Sequence, residues 1–214
     1  MLAKPEKILC VGLNYKSHAE ETGGEVPKEP VIFSKFNDAL AMNGDAILLP
    51  PQHRCYDYEA ELVAVIGRHV YHASPEEAAA AIGGYTCGND LSARDCQFRS
   101  NQWLIGKSFP GFAPIGPRIV SASEFDPTKP HRITCAVNGE TVQDDDVTNM
   151  LFSCASIVEY ISAFMPLAPG DLIFTGTPAG VILGRPKGTR VWLKPGDEVS
   201  VSIEGIGTLT NRLV

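Results

Sequence analysis

The sequence lacks several features that would place it in other classes of protein. It contains no block of Lys and Arg, and its formal net charge of -7 and pI near 5.2 argue against nucleic acid or an anionic membrane as a partner. It has no signal-peptide core and no apolar stretch long enough to span a bilayer. Its six cysteines form no CxxC pair, which favours reduced thiols. We therefore expect a cytoplasmic protein that acts on small molecules.

Familiar catalytic and metal signatures are missing as well. No GxSxG elbow occurs, so a serine hydrolase has little support. Gly176 and Gly180 are only a weak phosphate-loop signal, because no GxxxxGK[ST] follows them. Four histidines lack zinc-ligand spacing and are predicted to be surface residues. They are His53, His69, His72 and His131.

The composition that is present, with 44% hydrophobic and 20% charged residues over 214 positions, is that of an ordinary globular protein. Strand-like runs dominate and do not alternate regularly with helices, which predicts a β-dominated α+β fold. Residues 74–83 carry the serine cap, proline, glutamate and stop glycine of a helix. Asn138-Gly139 predicts a tight hairpin, residues 154–164 have helical spacing, and residues 106–118, dense in Gly and Pro, predict a loop.

Residues 58–67 are predicted to form a buried strand that begins with two carboxylates. Side chains two positions apart on a strand point to the same face, so Glu59 and Glu61 should lie side by side. Like charges on a half-buried strand are costly unless a cation neutralises them, and Mg²⁺ or Mn²⁺ prefers such oxygen ligands. The alternative is a strand end with both glutamates in solvent. The spacing alone favours that alternative.

Four further residues are candidates for a site. Asp90 follows a predicted strand, where it is either a third oxygen ligand or a helix N-cap. Arg94 and Gln97 follow it at four and seven positions, which predicts one shared side of a helical turn. Lys107 is either a solvated charge or a cation that holds an anionic substrate.

Residues 15–30 combine a short helix, stopped at Gly23-Gly24, with a Gly- and Pro-rich segment, which is typical of a mobile lid. Ser17 has a glutamate three positions later, the spacing of a capping box. His18 and Glu21 are also three positions apart, so the carboxylate could orient the histidine as a general base. The alternative is an exposed pair on the helix surface.

Together these motifs resemble the fumarylacetoacetate hydrolase family, in the same order and over nearly the whole chain. The resemblance implies a mixed β-sandwich roll, usually a homodimer, without the extra N-terminal domain of longer members. One departure is that Pro110-Gly111 stands where many members have Asp-Thr. The motifs are Gly12-Leu13-Asn14-Tyr15 with His18, Tyr58-Glu59-Ala60-Glu61-Leu62, Gly88-Asn89-Asp90-Leu91-Ser92-Ala93-Arg94-Asp95, Gly106-Lys107-Ser108-Phe109 and Thr175-Gly176-Thr177-Pro178.

The resemblance also implies one catalytic domain over residues 1–214 and a site with three parts. These are metal ligands for Mg²⁺ or Mn²⁺, contacts to the α-keto acid end of the substrate, and catalytic residues on and near the lid. The implied metal ligands are Glu59, Glu61 and Asp90; the substrate contacts are Arg94, Gln97, Thr177 and Lys107, which also assists catalysis; the dyad is His18 and Glu21.

The activity implied by the resemblance is hydrolysis of a C–C bond in a 2,4-diketo acid of the acylpyruvate or fumarylpyruvate type, through a metal-stabilised pyruvate enolate. Oxaloacetate decarboxylation and isomerisation of 2-hydroxyhepta-2,4-diene-1,7-dioate, as in aromatic-acid catabolism, pass through a similar enolate and stay open. A protein that binds a keto acid without turnover is the alternative from another class.

Overall fold

A computed structural model describes residues 5–214, and its elements are mostly strands. The α-helices are α1 (Lys16–Thr22), α2 (Pro75–Ala81), α3 (Arg94–Gln97), α4 (Leu104–Lys107) and α5 (Cys154–Ser162). The strands are β1 (Ile8–Gly12), β2 (Val31–Lys35), β3 (Leu40–Met42), β4 (Ala46–Ile47), β5 (Tyr56–Asp57), β6 (Ala60–Ile66), β7 (Ile82–Asn89), β8 (Ser92–Ala93), β9 (Ala113–Ser121), β10 (Arg132–Val137), β11 (Glu140–Asp146), β12 (Leu172–Phe174), β13 (Glu198–Ile203) and β14 (Gly207–Leu213).

The strands of the described residues pair into three sheets. The largest has the order β2-β1-β12-β6-β7-β9-β3, the second β11-β10-β13-β14-β4, and the smallest pairs β5 with β8. Pairing is antiparallel except between β1 and β12, β3 and β9, and β14 and β4. The two large sheets face each other across a common core, so the predicted strand-dominated α+β fold is confirmed.

The central strand β6 is buried along its whole length, which its apolar, β-branched sequence dictates. Leu62 on one face joins the core between the two large sheets, whereas Val63 on the other face joins a smaller cluster with Phe174. Glu59 and Glu61 share the parity of Val63 along the strand. The strand therefore carries both carboxylates into the interior rather than into solvent.

Several local predictions are confirmed and others are wrong. The capping box of α2 and the hairpin at Asn138-Gly139 form as predicted. The N-cap predicted at Ser17 is wrong, because α1 begins at Lys16 and Ser17 lies inside the helix. The N-cap position is Tyr15, whose backbone pairs with Met150. Gly23 does end α1, in a left-handed conformation.

The Gly- and Pro-rich loop predicted over residues 106–118 is confirmed only for residues 108–112. Lys107 ends α4, and β9 begins at Ala113 and pairs with both β7 and β3. Pro117 lies beyond the residues that pair with β3 and within the register shift of the pairing with β7, whereas Pro114 lies beyond the residues that pair with β7.

The predicted ends of two other elements also need correction. The stop glycine Gly83 lies inside β7, because the chain turns from α2 directly into that strand. Asp90 is neither a helix N-cap nor on one helical turn with Arg94, because β8 intervenes and α3 begins at Arg94.

Two of the histidines also depart from the prediction. His69 and His72 are exposed as predicted, but His53 and His131 are half-buried. No helix between residues 5 and 214 is both long and apolar enough to span a membrane. Residues 1–4 of the predicted 1–214 domain lie outside the described residues, and the mobility of residues 15–30 stays a prediction.

Candidate active site

Three buried carboxylates meet at the ends of β6 and β7. Glu61 lies in β6, Glu59 precedes it, and Asp90 follows β7, whose backbone is tied to Glu59 by a 2.9 Å hydrogen bond from Asp90 N to Glu59 O. One oxygen from each carboxylate lies within 4.8 Å of the others. The three side chains predicted as metal ligands are therefore brought together by the pairing of two central strands.

Two of these carboxylates, Glu59 and Asp90, form ion pairs with buried cationic side chains. Lys107 Nζ lies 2.8 Å from both Glu59 Oε2 and Asp90 Oδ2. Arg94 Nη2 donates to Glu59 Oε1 at 2.7 Å, and the buried Lys35 contacts Asp90 Oδ1. Burial alone would raise the pKa of Glu59, but Lys107 and Arg94 outweigh it and hold that pKa well below its usual range. Glu59 is therefore a carboxylate fixed in its charged form.

Glu61 is the carboxylate without a cationic partner among the described residues. Its Oε2 accepts a 2.7 Å hydrogen bond from Gly176 N, on the chain that follows β12. Burial raises the pKa of Glu61, and the charges of Asp90 and Glu59 raise it further. A dication beside Glu61 would offset the cost of burying its charged form next to two other carboxylates.

The donor set fits a hard divalent cation. Asp90 Oδ1 is buried and makes no hydrogen bond despite its contact with Lys35. The ligand atoms of Glu59, Glu61 and Asp90 are all oxygens, which suits Mg²⁺ or Mn²⁺. Counting the neighbouring Asp57, four buried carboxylates face three buried cations, a formal charge of −1. A dication changes that charge to +1 and makes the site attractive to an anion.

Arg94 is held in place from behind by Asp57, which the sequence analysis missed. Asp57 Oδ2 accepts from Arg94 Nε at 2.9 Å, and its oxygens also accept from the backbone of Tyr58, Ile182 and Leu183. Arg94 Nη1 donates to Gln97 Oε1 at 2.8 Å, so these two predicted substrate contacts do lie together. Asp57 stands two positions before Glu59, and the period of the strand was a signal that could have identified it.

Lys35 and Gln143 were also missed, and the sequence offers little signal for either. Lys35 ends an apolar strand, where a lysine is normally solvated. Here its Nζ is buried and donates to the carbonyl oxygens of Leu91 and Phe112. Gln143 Nε2 donates to Thr177 Oγ1 at 2.9 Å, and its Oε1 accepts from Ala60 N at 2.9 Å.

His18 and Glu21 form the predicted pair on α1. His18 is 7% exposed, and its Nδ1 lies 2.9 Å from Glu21 Oε1. The other oxygen, Glu21 Oε2, accepts a 2.9 Å hydrogen bond from Gly180 N. The exposed helix pair considered as the alternative is excluded, because this dyad is anchored on the interior of the molecule.

A cavity of about 220 Å³ joins these groups. Its apolar wall includes Phe33, Trp103 and Leu183, and the rings of Phe33 and Trp103 meet edge to face with centroids 5.3 Å apart. Glu21 supports His18 from behind, and Asp90 lies beneath Lys107. The predicted residues that line the cavity directly are His18, Glu59, Glu61, Arg94, Gln97, Lys107 and Thr177.

A larger cavity, of about 430 Å³, lies beside α2 and α5. Its lining includes Tyr85, Phe125 and Met150, with Asp126 as its acidic member. That single carboxylate has no buried cation or histidine base beside it in this lining. Chemistry rather than volume therefore identifies the smaller cavity as the candidate active site.

Comparison with known proteins identifies the family of this chain. The model of the fumarylacetoacetate (FAA) hydrolase C-terminal domain matches residues 7–214. The chain belongs to this family, which is a family of enzymes. A curated relative, the mitochondrial oxaloacetate tautomerase from Homo sapiens, is 42% identical over 100% of this chain and 68% of that protein.

Two solved structures are similar in both sequence and fold. A 2-hydroxyhepta-2,4-diene-1,7-dioate isomerase from Mycobacterium marinum is 42% identical with a TM-score of 0.86, covering 100% of this chain and 75% of the other. A fumarylpyruvate hydrolase from Pseudomonas aeruginosa, solved with Mn²⁺ and pyruvate, is 36% identical with a TM-score of 0.88, covering 98% of this chain and 90% of the other.

Proposed function

We propose that this chain is a divalent-metal-dependent hydrolase that cleaves a C–C bond in a 2,4-diketo acid of the acylpyruvate or fumarylpyruvate type. The observation that carries the proposal is that the His18–Glu21 pair faces the same small cavity as the carboxylate cluster and Arg94. The similar fumarylpyruvate hydrolase, solved with Mn²⁺ and pyruvate, supports this choice.

Glu59, Glu61 and Asp90 would hold Mg²⁺ or Mn²⁺. When bound, the cation supplies a Lewis acid that polarises the 2-oxo group of the substrate and offsets the negative charge that develops there. The three side chains lie on or directly beside the paired strands β6 and β7, so their positions are fixed before the cation binds.

Arg94, Lys107, Gln97 and Thr177 would orient the carboxylate and 2-oxo end of the substrate. Arg94 and Lys107 remain charged despite burial, because their carboxylate partners raise the pKa of both side chains. Gln97 is fixed by Arg94 and Thr177 by Gln143, so both polar groups face the cavity in set positions.

His18 would act as the general base. Because Nδ1 is engaged by Glu21, Nε2 is the nitrogen left to take a proton from water. The resulting hydroxide attacks the distal acyl carbon, the C–C bond breaks, and its electron pair leaves on the methylene carbon of pyruvate as the enolate. Protonation of that carbon by His18 yields pyruvate and a carboxylic acid, which balances the added water.

A second candidate is an enzyme that moves protons on oxaloacetate without hydrolysis. The 42% identity to a mitochondrial oxaloacetate tautomerase favours it over other runners-up. The same His18 would shuttle a proton between C3 and the enol oxygen, and no attacking water is required. Oxaloacetate decarboxylation and dienedioate isomerisation remain closely related alternatives, and binding of a keto acid without turnover is the alternative from another class.

The deciding experiment is a substrate panel with Mg²⁺ or Mn²⁺ against EDTA. Acetylpyruvate, fumarylpyruvate and the keto and enol forms of oxaloacetate are followed by ultraviolet absorbance. Metal-dependent cleavage of a diketo acid supports the hydrolase. Interconversion of oxaloacetate tautomers without loss of CO₂ moves the assignment to a tautomerase, and CO₂ release to a decarboxylase. Tight binding without any turnover supports the non-catalytic protein.

The proposal also includes a homodimer, a single catalytic domain, a mobile lid over residues 15–30 and a cytoplasmic location. The homodimer and the single domain rest on the family resemblance, the lid on the short α1 that ends at Gly23, and the cytoplasmic location on the six cysteines without a CxxC pair. Light scattering of the purified chain tests the dimer. Hydrogen exchange of residues 15–30 with and without pyruvate tests the lid, which requires slower exchange in the bound state.

A further inference from the structure

A second group of metal-binding side chains lies behind the active site. His53 Nδ1 is 3.2 Å from Asp95 Oδ2, and Cys96 Sγ is 3.2 Å from His53 Nδ1. Three ligand atoms, one from each residue, lie within 4.8 Å of one another. None of these residues belongs to the carboxylate cluster, and the proposed reaction uses none of them.

The spacing of these donors matches a tetrahedral zinc site. Zinc bonds of about 2.0 Å to nitrogen or oxygen and about 2.3 Å to sulfur place neighbouring donors roughly 3.3 to 3.6 Å apart. His53 Nδ1 lies 3.2 Å from both Asp95 Oδ2 and Cys96 Sγ, close to these values. Cys96 Sγ is also 3.6 Å from His53 Nε2, so the imidazole must turn to point one nitrogen at an ion held by the sulfur and the carboxylate.

We propose that His53, Asp95 and Cys96 form a second cation site, selective for a soft divalent ion such as Zn²⁺. Its nitrogen, oxygen and sulfur donors contrast with the all-oxygen set in the active site, so the two sites would select different metals. Three protein ligands leave a fourth position for water.

The burial of Cys96 favours a metal ligand over a catalytic cysteine. Cys96 is 2% exposed, so a substrate has no direct approach to its sulfur. The side chains of His53 and Asp95 are 15% and 30% exposed, which gives an ion a path from solvent. The group is thus shaped for a small cation rather than for attack on an organic substrate.

The position of the site gives it a structural consequence. Asp95 and Cys96 lie in α3, between Arg94 and Gln97, which face the active-site cavity. His53 comes from the segment that connects β4 and β5. A bound ion would therefore clamp that segment to the helix that presents two substrate contacts.

Cobalt is the probe that tests the proposal. Co²⁺ is titrated into the full chain with excess Mg²⁺ present to occupy the all-oxygen site. A thiolate-to-cobalt charge-transfer band is expected at about one equivalent, because only a sulfur ligand produces it. The band should persist in Glu61→Ala, in which the all-oxygen site is damaged.

Substitutions assign the band to its ligands. Cys96→Ser and His53→Asn should each weaken Co²⁺ binding by at least roughly 10-fold, with the charge-transfer band lost in Cys96→Ser. Cys154→Ser, which removes a buried thiol elsewhere, should leave both the affinity and the band unchanged. His53→Asn alters a half-buried loop residue, so it keeps the test valid if Cys96→Ser fails to fold. Absence of the band from the wild-type chain, or its full retention in His53→Asn, would overturn the proposal.

Discussion

His18 Nδ1 lies 2.9 Å from Glu21 Oε1, while the second oxygen of Glu21 is fixed by the backbone of Gly180. The carboxylate is thus anchored on a loop outside the lid and can set both the tautomer and the orientation of the imidazole. Both dyad residues lie on α1, and Glu21 gains its second anchor only when α1 lies against that loop. Closure of the lid and full anchoring of the dyad would therefore be the same event.

Replacement of His18 by Asn should abolish most catalysis and leave metal binding intact. The substitution removes the general base, so kcat should fall by roughly 10²- to 10⁴-fold. Steady-state kinetics on the preferred substrate, with Mg²⁺ affinity from calorimetry, checks both parts. His69→Asn, at an exposed position, is the matched control and should retain activity. Loss of Mg²⁺ affinity in His18→Asn would contradict the separation of base and metal site.

Gly184 tests the anchoring of Glu21 without altering either dyad residue. A Cβ at this position would overlap the carboxylate of Glu21. Gly184→Ala should therefore displace Glu21 and lower kcat by roughly 10- to 100-fold, with Mg²⁺ affinity unchanged. A Cβ at Gly188 meets no atom within 4 Å, so Gly188→Ala is the matched control. Equal activities in the two variants would show that the position of Glu21 is unimportant.

Glu61→Gln should change stability in opposite directions with and without metal. Because burial and two neighbouring carboxylates raise the pKa of Glu61, the metal-free chain loses stability as the pH rises above the usual glutamate pKa. The neutral amide should stabilise the metal-free chain at pH 7 by about 1 to 3 kcal/mol. It should also weaken Mg²⁺ binding by at least roughly 100-fold and remove the stabilisation by Mg²⁺.

Thermal unfolding with EDTA and with Mg²⁺ measures both effects. Glu140→Gln, at an exposed position, is the control and should behave as the wild type in both conditions. Wild-type stabilisation by Mg²⁺ in Glu61→Gln would remove Glu61 from the ligand set.

The sequence predicted the parts of the site that follow from local rules. The two-residue period of a strand predicted that Glu59 and Glu61 share one face. Asp90 was predicted to follow a strand, and the pairing of β6 with β7 puts it beside them. Lys35 was missed because its burial depends on carbonyl oxygens 56 and 77 positions away in the chain. Gln143 contacts Ala60 at a separation of 83 positions. No local pattern encodes such contacts.

Gln143 is predicted to position Thr177. Its amide bonds Thr177 Oγ1, Pro178 O and Ala60 N, so Gln143→Leu leaves buried polar groups unsatisfied. We expect a loss of about 2 to 4 kcal/mol in the free energy of unfolding and a higher KM. If Gln143 acts through Thr177, its effect on KM should largely disappear in a Thr177→Val background. If the effects of the two substitutions on KM simply add, Gln143 has a purely structural role.

Trp103 should set the size of the acyl group that the cavity accepts. Its ring fills the space beside Gly12, where a Cβ would lie 2.6 Å from Trp103 Cζ3. Trp103→Ala should enlarge the cavity and raise kcat/KM for a bulky acylpyruvate, relative to acetylpyruvate, by roughly 10-fold. Gly12→Ala should push the ring inward and shift this preference in the opposite direction. Trp192, the other tryptophan, lies outside this cavity, so Trp192→Ala is the matched control. An unchanged ratio in both Trp103→Ala and Gly12→Ala would show that another part of the wall selects the acyl group.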